Sequence, residues 1–84
     1  MADRTRELRR AVGIALRGDW QGAHEIAQNY EDDAKGQWLH AVVHRMEGDL
    51  ENARYWYGRC ARSLPDGVST EDELKQIREV LGEG

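Results

Sequence analysis

An internal repeat is the feature of this sequence that most limits how it can fold. Residues 18 to 29 read GDWQGAHEIAQN, and residues 48 to 59 read GDLENARYWYGR. At an offset of thirty positions, both segments begin with Gly-Asp, followed by a large apolar residue and, three positions later, by Ala. Periods of roughly 20 to 50 residues are typical of architectures in which one supersecondary unit stacks on the next. The sequence therefore predicts a repeated unit.

The Gly-Asp pair indicates that this unit is a helical hairpin. Glycine ends a helix at low cost, because it adopts the left-handed conformation of a C-terminal cap. The aspartate carboxylate accepts hydrogen bonds from backbone N–H groups in the first turn of the next helix. Ala23 and Ala53 then allow the two helices of each hairpin to approach closely.

The whole chain is predicted to be all-α: two stacked antiparallel hairpins in a single domain, closed by a fifth helix. No segment alternates apolar and polar residues over the length of a strand, which argues against a β-sheet. Pro65-Asp66-Gly67 ends the fourth helix, and Thr70 and Glu73 form a capping box that starts the fifth. Helices are predicted at 3–17, 19–30, 34–47, 49–63 and 70–81, so that the 1–84 domain comprises hairpin 1 (about 3–30), hairpin 2 (about 34–64) and a capping helix (about 70–81).

The second repeat resembles the tetratricopeptide repeat. That motif has Gly at the hairpin turn, then Ala, an aromatic residue, a small residue and Pro at fixed intervals. The matching positions are Gly48, Ala53, Tyr57, Cys60 and Pro65. The match covers about residues 34 to 67 and, more weakly, residues 4 to 30. The resemblance implies a stacked helical scaffold that binds a protein or peptide.

The segment HAVVHRMEGDLENARYWY, residues 40 to 57, also resembles a group of short uncharacterised bacterial and fungal proteins. They share the pattern His-Ala-x-x-His-Arg-x-Glu-Gly-Asp-Leu-x-Asn-Ala-x-Tyr-Trp-Tyr. This resemblance implies a compact stand-alone protein and carries no mechanism.

Composition and charge narrow the classes of function. The chain is 39% hydrophobic and 33% charged, which is typical of a soluble globular protein. Its net charge of -4 disfavours nucleic acid as a partner, although the first helix carries a basic stripe of Arg6, Arg9, Arg10 and Arg17. No apolar run reaches the roughly 20 residues of a membrane span, and the N-terminus lacks the apolar segment of a secretory signal. With a single cysteine, these features predict a cytoplasmic protein.

Helical phase separates the aromatic residues Tyr55, Trp56 and Tyr57. At about 100° per residue, Trp56 and Tyr57 face the core, whereas Tyr55 faces solvent beside two arginines. The same core-facing side of the fourth helix carries Leu50, Ala53, Cys60 and Leu64, and the apolar side of the fifth carries Leu74, Ile77, Val80 and Leu81. Cys60 is interpreted as a small buried residue and not as a nucleophile, because no nearby base or helix start lowers the pKa of its thiol.

The favoured function is non-enzymatic protein–protein interaction or self-association. Helices one and three line the inner face of a stacked array, where Lys35 and Arg45 could hold a carboxylate and Trp38 could supply apolar contact. The predicted partner-binding residues are Lys35, Trp38, Leu39, Val42, Arg45, Met46 and Tyr55. The alternative is that the fifth helix fills this groove, which would make its residues core.

A second hypothesis rests on the three histidines of the chain. His40 and His44 are four residues apart, so both imidazoles can reach one metal ion from one face of the third helix. His24, on the preceding helix, could join them, and Glu47 lies nearby. The same pair could act as a general base, but no residue supplies a nucleophile with an oriented base. The favoured hypothesis has no cofactor; a metal-binding or enzymatic site at His24, His40 and His44 is the alternative.

Overall fold

The computed structural model describes residues 3–82, and all regular structure in that range is helical. Helix α1 spans Arg4–Leu16, α2 spans Trp20–Ala27 and continues as a short 3-10 turn at Gln28–Tyr30, α3 spans Ala34–Glu47, α4 spans Leu50–Arg59 and α5 spans Thr70–Gly82. The all-α prediction with five helices is confirmed. Over this described range, none of the helices combines the length and the apolar character needed to cross a membrane.

The two Gly-Asp junctions have the predicted chemistry. Gly18 and Gly48 adopt φ values of 93° and 91°, in the left-handed region that favours glycine. Oδ1 of Asp19 and Oδ1 of Asp49 each accept the backbone N–H three residues later, at 2.9 and 3.2 Å. The alanine that follows in each repeat is completely buried. Each junction therefore turns the chain sharply from one helix into the next.

Helix α4 ends at Arg59, earlier than the predicted limit at residue 63. The N–H of Arg62 bonds to the carbonyl oxygen of Tyr57 at 2.8 Å, and the N–H of Ala61 bonds to that of Gly58 at 3.2 Å. This pair of bonds is the Schellman closure of a helix, and it places Ala61 in the left-handed region with φ of 61°. The prediction was too long because it took Pro65 as the stop, whereas backbone hydrogen bonds end the helix first.

Helix α3 lies at the centre of the fold and packs against α1, α2, α4 and α5. Because it has neighbours on all sides, every residue from 36 to 44 is buried, including the polar His40 and His44. The rest of the core surrounds it, formed by Leu8, Ala11, Val12, Ala15, Ala23, Ile26, Ala27, Ala53, Trp56, Tyr57, Leu74, Ile77 and Leu81. Leu50 and Val80 were predicted to face the core and are exposed, because Leu50 opens the first turn of α4 and Val80 flanks a narrow apolar stripe.

A buried carboxylate, that of Glu73, anchors α5 to the second hairpin. Its Oε1 accepts hydrogen bonds from Tyr57 Oη at 2.5 Å and from Arg45 Nη1 at 2.6 Å, and its Oε2 accepts one from Trp38 Nε1 at 2.8 Å. Burial, together with the hydrogen bond and negative charge of Glu73, raises the pKa of Tyr57 far above its usual value. The phenol therefore stays protonated and remains a donor.

This arrangement places α5 over the predicted groove on α3. Of the seven predicted partner-binding residues, Trp38, Leu39 and Val42 are buried, Arg45 and Met46 are half-buried, and Lys35 and Tyr55 are exposed. The guanidinium of Arg45 is committed to Glu73 and to the carbonyl oxygen of Val68. The fifth helix thus fills the groove, which is the alternative that the sequence left open, and the buried members are core residues.

The predicted capping box of α5 is wrong by one residue. Oγ of Ser69, and not Thr70, accepts the N–H of Asp72 at 3.0 Å. Glu73 cannot complete a box because its carboxylate points into the core.

Candidate metal centre

Helices α2 and α3 bring all three histidines of the chain together. His40 and His44 lie one turn apart on α3, and His24 faces them from the last turn of α2. Nε2 of His24 and Nε2 of His40 are 3.0 Å apart. One ring nitrogen from each histidine lies within 4.8 Å of the other two. The residues named from sequence as an alternative site therefore form one cluster.

The histidine rings are held by aromatic packing. The ring of His40 stacks with Trp56 of α4 at a centroid distance of 3.9 Å and lies nearly parallel to His44 at 5.0 Å. The ring of His24 meets both of them edge-on, at 4.6 and 5.3 Å. Three helices thus fix the ring planes. His24 is half-buried and marks the side of the cluster nearest to solvent.

The imidazole of His40, at the centre of this cluster, is neutral at neutral pH. Burial, reinforced by the positive charge that His24 and His44 can carry, lowers the pKa of His40 to about 3. At neutral pH, His40 therefore carries a free lone pair on one ring nitrogen, which is the form that binds metals. In addition, Nδ1 of His40 and Nδ1 of His44 are buried without a hydrogen-bond partner. A buried polar atom that lacks a hydrogen bond costs about 1–3 kcal/mol.

The spacing of the nitrogens is close to what a tetrahedral ion requires. Ligand nitrogens at about 2.0–2.1 Å from zinc are separated from one another by roughly 3.3–3.4 Å. The 3.0 Å between Nε2 of His24 and Nε2 of His40 is near that value, and one ring nitrogen from each of the three histidines lies within 4.8 Å of the other two. The arrangement can hold one cation with three imidazoles.

Two carboxylates lie beside His44. Oε1 of Glu47 is 3.2 Å from Nδ1 of His44, and Glu47 and Asp49 form with His44 a second group of converging ligand atoms. Asp49 is already engaged by the side-chain and backbone N–H groups of Asn52, and these bonds lower the pKa of its carboxyl. Glu47 is the carboxylate that remains available.

Cys60 and two arginines of the basic stripe on α1 are engaged elsewhere. Burial raises the pKa of Cys60, whose thiol donates to the carbonyl oxygen of Tyr57. In the basic stripe of α1, Arg10 pairs with Glu7 and Arg9 donates to the carbonyl oxygen of Leu81. Two surface cavities are lined by other residues, one between α1 and α5 and one beside Leu64, and neither includes a histidine.

Sequence reasoning identified Trp56 as a core residue but not as the wall of the histidine cluster. Its stacking on His40 depends on how α4 crosses α3, which helical phase alone does not define. In comparisons with protein-family models, with curated proteins and with solved structures, no match to this chain was found.

Proposed function

We propose that this protein binds one divalent transition-metal ion through His24, His40 and His44. The observation that carries the proposal is the convergence of all three imidazoles, from two helices, around one point. Imidazole ligands suit zinc, copper, nickel and iron, and three histidines with a water are a known coordination of zinc. The neutral state of His40 supports the proposal, because an imidazole with an unprotonated ring nitrogen is the form that binds a metal ion.

The proposed role is binding without catalysis. A bound ion would link α2 to α3, and so the first hairpin to the second. The two surface cavities described above lie away from the histidines, so the cluster has no adjoining cavity among them to receive a substrate. We propose that the ion ties the two hairpins together.

The test is a metal titration of the protein prepared without an affinity tag. Zn²⁺, Co²⁺, Ni²⁺ and Cu²⁺ are added one at a time in competition with a chromophoric chelator. One ion per chain is expected for at least one metal, and Co²⁺ should give the visible absorption of a four-coordinate site. A wild-type protein that binds none of the four ions overturns the proposal.

The variants separate this site from other sources of metal affinity. His24→Gln should abolish binding with the least damage to the fold, because His24 is the half-buried member of the cluster. Glu25→Gln, an exposed neighbour on α2, is the matched control and should bind as the wild type does. Cys60→Ser should also bind normally. Retention of full affinity by His24→Gln contradicts the assignment, provided that circular dichroism shows a folded protein.

Protein–protein interaction stays a prediction, now restricted to exposed side chains. Tyr55 is 55% exposed and receives a hydrogen bond from Arg59, while Lys35 is exposed at the start of α3. Light scattering of wild type and of a Lys35→Glu, Tyr55→Ser double variant tests it. A monomeric wild type that captures no protein partner sensitive to these substitutions contradicts this prediction.

A further inference from the structure

We infer that Glu47 is the positioning residue of the proposed metal site and holds His44 with its Nε2 toward the ion; this inference rests on the proposed metal binding. Nδ1 of His44 lies 3.2 Å from Oε1 of Glu47. That nitrogen is buried, and the contact lacks the alignment of a hydrogen bond. The carboxylate of Glu47 and the ring of His44 are therefore adjacent, but they do not form a hydrogen bond in this arrangement.

A small rotation completes the bond. Glu47 follows His44 by one turn of α3, and its side chain is 28% exposed, whereas that of His44 is 11% exposed. The carboxylate is thus free to turn toward the fixed ring. A proton held on Nδ1 by a carboxylate leaves the lone pair on Nε2, which is how metal-binding histidines are commonly oriented.

Charge supports the same assignment. Three neutral imidazoles leave both positive charges of a divalent ion uncompensated in a partly buried setting, which is costly without a nearby anion. Glu47 is the last residue of α3, where the helix dipole disfavours a carboxylate. Among residues 3–82, the one basic side chain whose nitrogen lies within 4 Å of the Glu47 carboxylate is that of His44. A cation bound at His44 would offset the unfavourable position of Glu47.

The test compares the affinity for zinc of four proteins by competition with a chelator. Glu47→Gln should bind zinc about 10- to 100-fold more weakly than wild type, the usual effect of removing an orienting partner. Glu47→Asp should recover part of the loss, because it restores the carboxylate on a shorter arm. Glu51→Gln, an exposed glutamate in the first turn of α4, is the matched control and should bind as wild type does.

Two further measurements separate positioning from a structural role. Removing a carboxylate from the end of α3 should leave the metal-free protein as stable as wild type or slightly more stable, so weaker zinc binding cannot arise from unfolding. Nitrogen-15 NMR of the zinc-loaded wild type should show the proton of His44 on Nδ1. A proton on Nε2, or unchanged zinc affinity in Glu47→Gln, overturns the inference. If the wild-type protein binds zinc and Glu47→Gln binds it equally well, this inference alone is wrong. If the wild-type protein binds none of the four ions, the proposed function is wrong.

Discussion

Nε2 of His24 on α2 lies 3.0 Å from Nε2 of His40 on α3. At this distance the two ring nitrogens can form a hydrogen bond in which one ring donates and the other accepts. The contact joins the last turn of the first hairpin to the middle of the central helix. A metal ion at this position would replace one weak bond by two strong ones.

Metal binding should therefore raise the thermal stability of the protein. At a free zinc concentration 100 times the dissociation constant, the free energy of unfolding should rise by about 2.7 kcal/mol. For a domain of this size that corresponds to an increase in Tm of roughly 10–20 °C. Differential scanning calorimetry with and without zinc measures the shift, and a chelator should reverse it. His24→Gln should melt at the same temperature under both conditions.

The metal-free protein should lose stability as the pH falls below about 6.5. The pKa of His40 is about 3 in the folded protein and 6.5 in the unfolded chain, so between these values the unfolded state binds more protons. The contribution of His40 is complete above pH 6.5 and is lost as the pH falls toward 3. Urea unfolding at constant ionic strength measures this slope.

The window between pH 6.5 and 4.5 separates this effect from that of two aspartates. Asp33 and Asp49 also have lowered pKa values, but their unfolded value is 3.8, so their contribution changes only at more acidic pH. His40→Gln should show a flatter profile in that window. Equal slopes for wild type and variant would mean that His40 is not held neutral.

Glu73→Gln should destabilise the protein by about 3–5 kcal/mol, because it leaves the half-buried guanidinium of Arg45 without its counter-charge. Glu71→Gln is the control on the same helix: its pair with Lys75 is exposed, and the change should stay within about 0.5 kcal/mol. Urea denaturation of both variants gives the two values. A loss in Glu73→Gln no larger than in the control would contradict the anchoring role of Glu73.

Ala61→Gly should stabilise the protein by about 0.5–1 kcal/mol. Ala61 occupies the left-handed region at the end of α4, where a Cβ costs about 1–2 kcal/mol, and part of that relief is lost to the greater freedom of glycine in the unfolded chain. The reciprocal change, Gly48→Ala, should lower stability by about 1 kcal/mol. The positive φ at this position is the only cause of the loss, since the added Cβ would contact no neighbouring atom. Chemical denaturation of the two variants should give shifts of opposite sign.

Ser69→Ala should reduce stability by about 1 kcal/mol, because it removes the oxygen that accepts the N–H of Asp72 in the first turn of α5. Thr70→Ala should have a smaller effect, since Thr70 supplies no such bond. Equal losses of stability in the two variants would mean that Thr70 contributes to the cap as much as Ser69 does. The same unfolding assay decides between them.

The parts of the fold that could be predicted from the sequence depend on neighbouring residues. Gly18 and Gly48 end helices, and Asp19 and Asp49 begin them, through bonds that span only a few positions. Helical phase alone likewise predicts that Tyr55 is exposed while its two aromatic neighbours are buried.

What the sequence could not reveal depends on how helices cross. His40 and His44 lie on what helical phase marks as a polar side of α3, and they are buried because α2 and α4 close over that side. Glu73 fits a local capping pattern equally well, yet three donors from α3 and α4 draw its carboxylate inward. The position of the Glu73 carboxylate is therefore determined by its distant hydrogen-bond donors and not by the local capping pattern.

The contact between α1 and α5 changes how the chain should unfold. In an open repeat array each unit touches only its neighbours, so its ends can fray while the middle persists. Here the first and last helices pack together, and Arg9 reaches the carbonyl oxygen of Leu81 across most of the chain. Neither α1 nor α5 can detach without exposing the surface of the other helix that it covers. The hairpins are therefore expected to melt as one cooperative unit, although the sequence is written as a repeat.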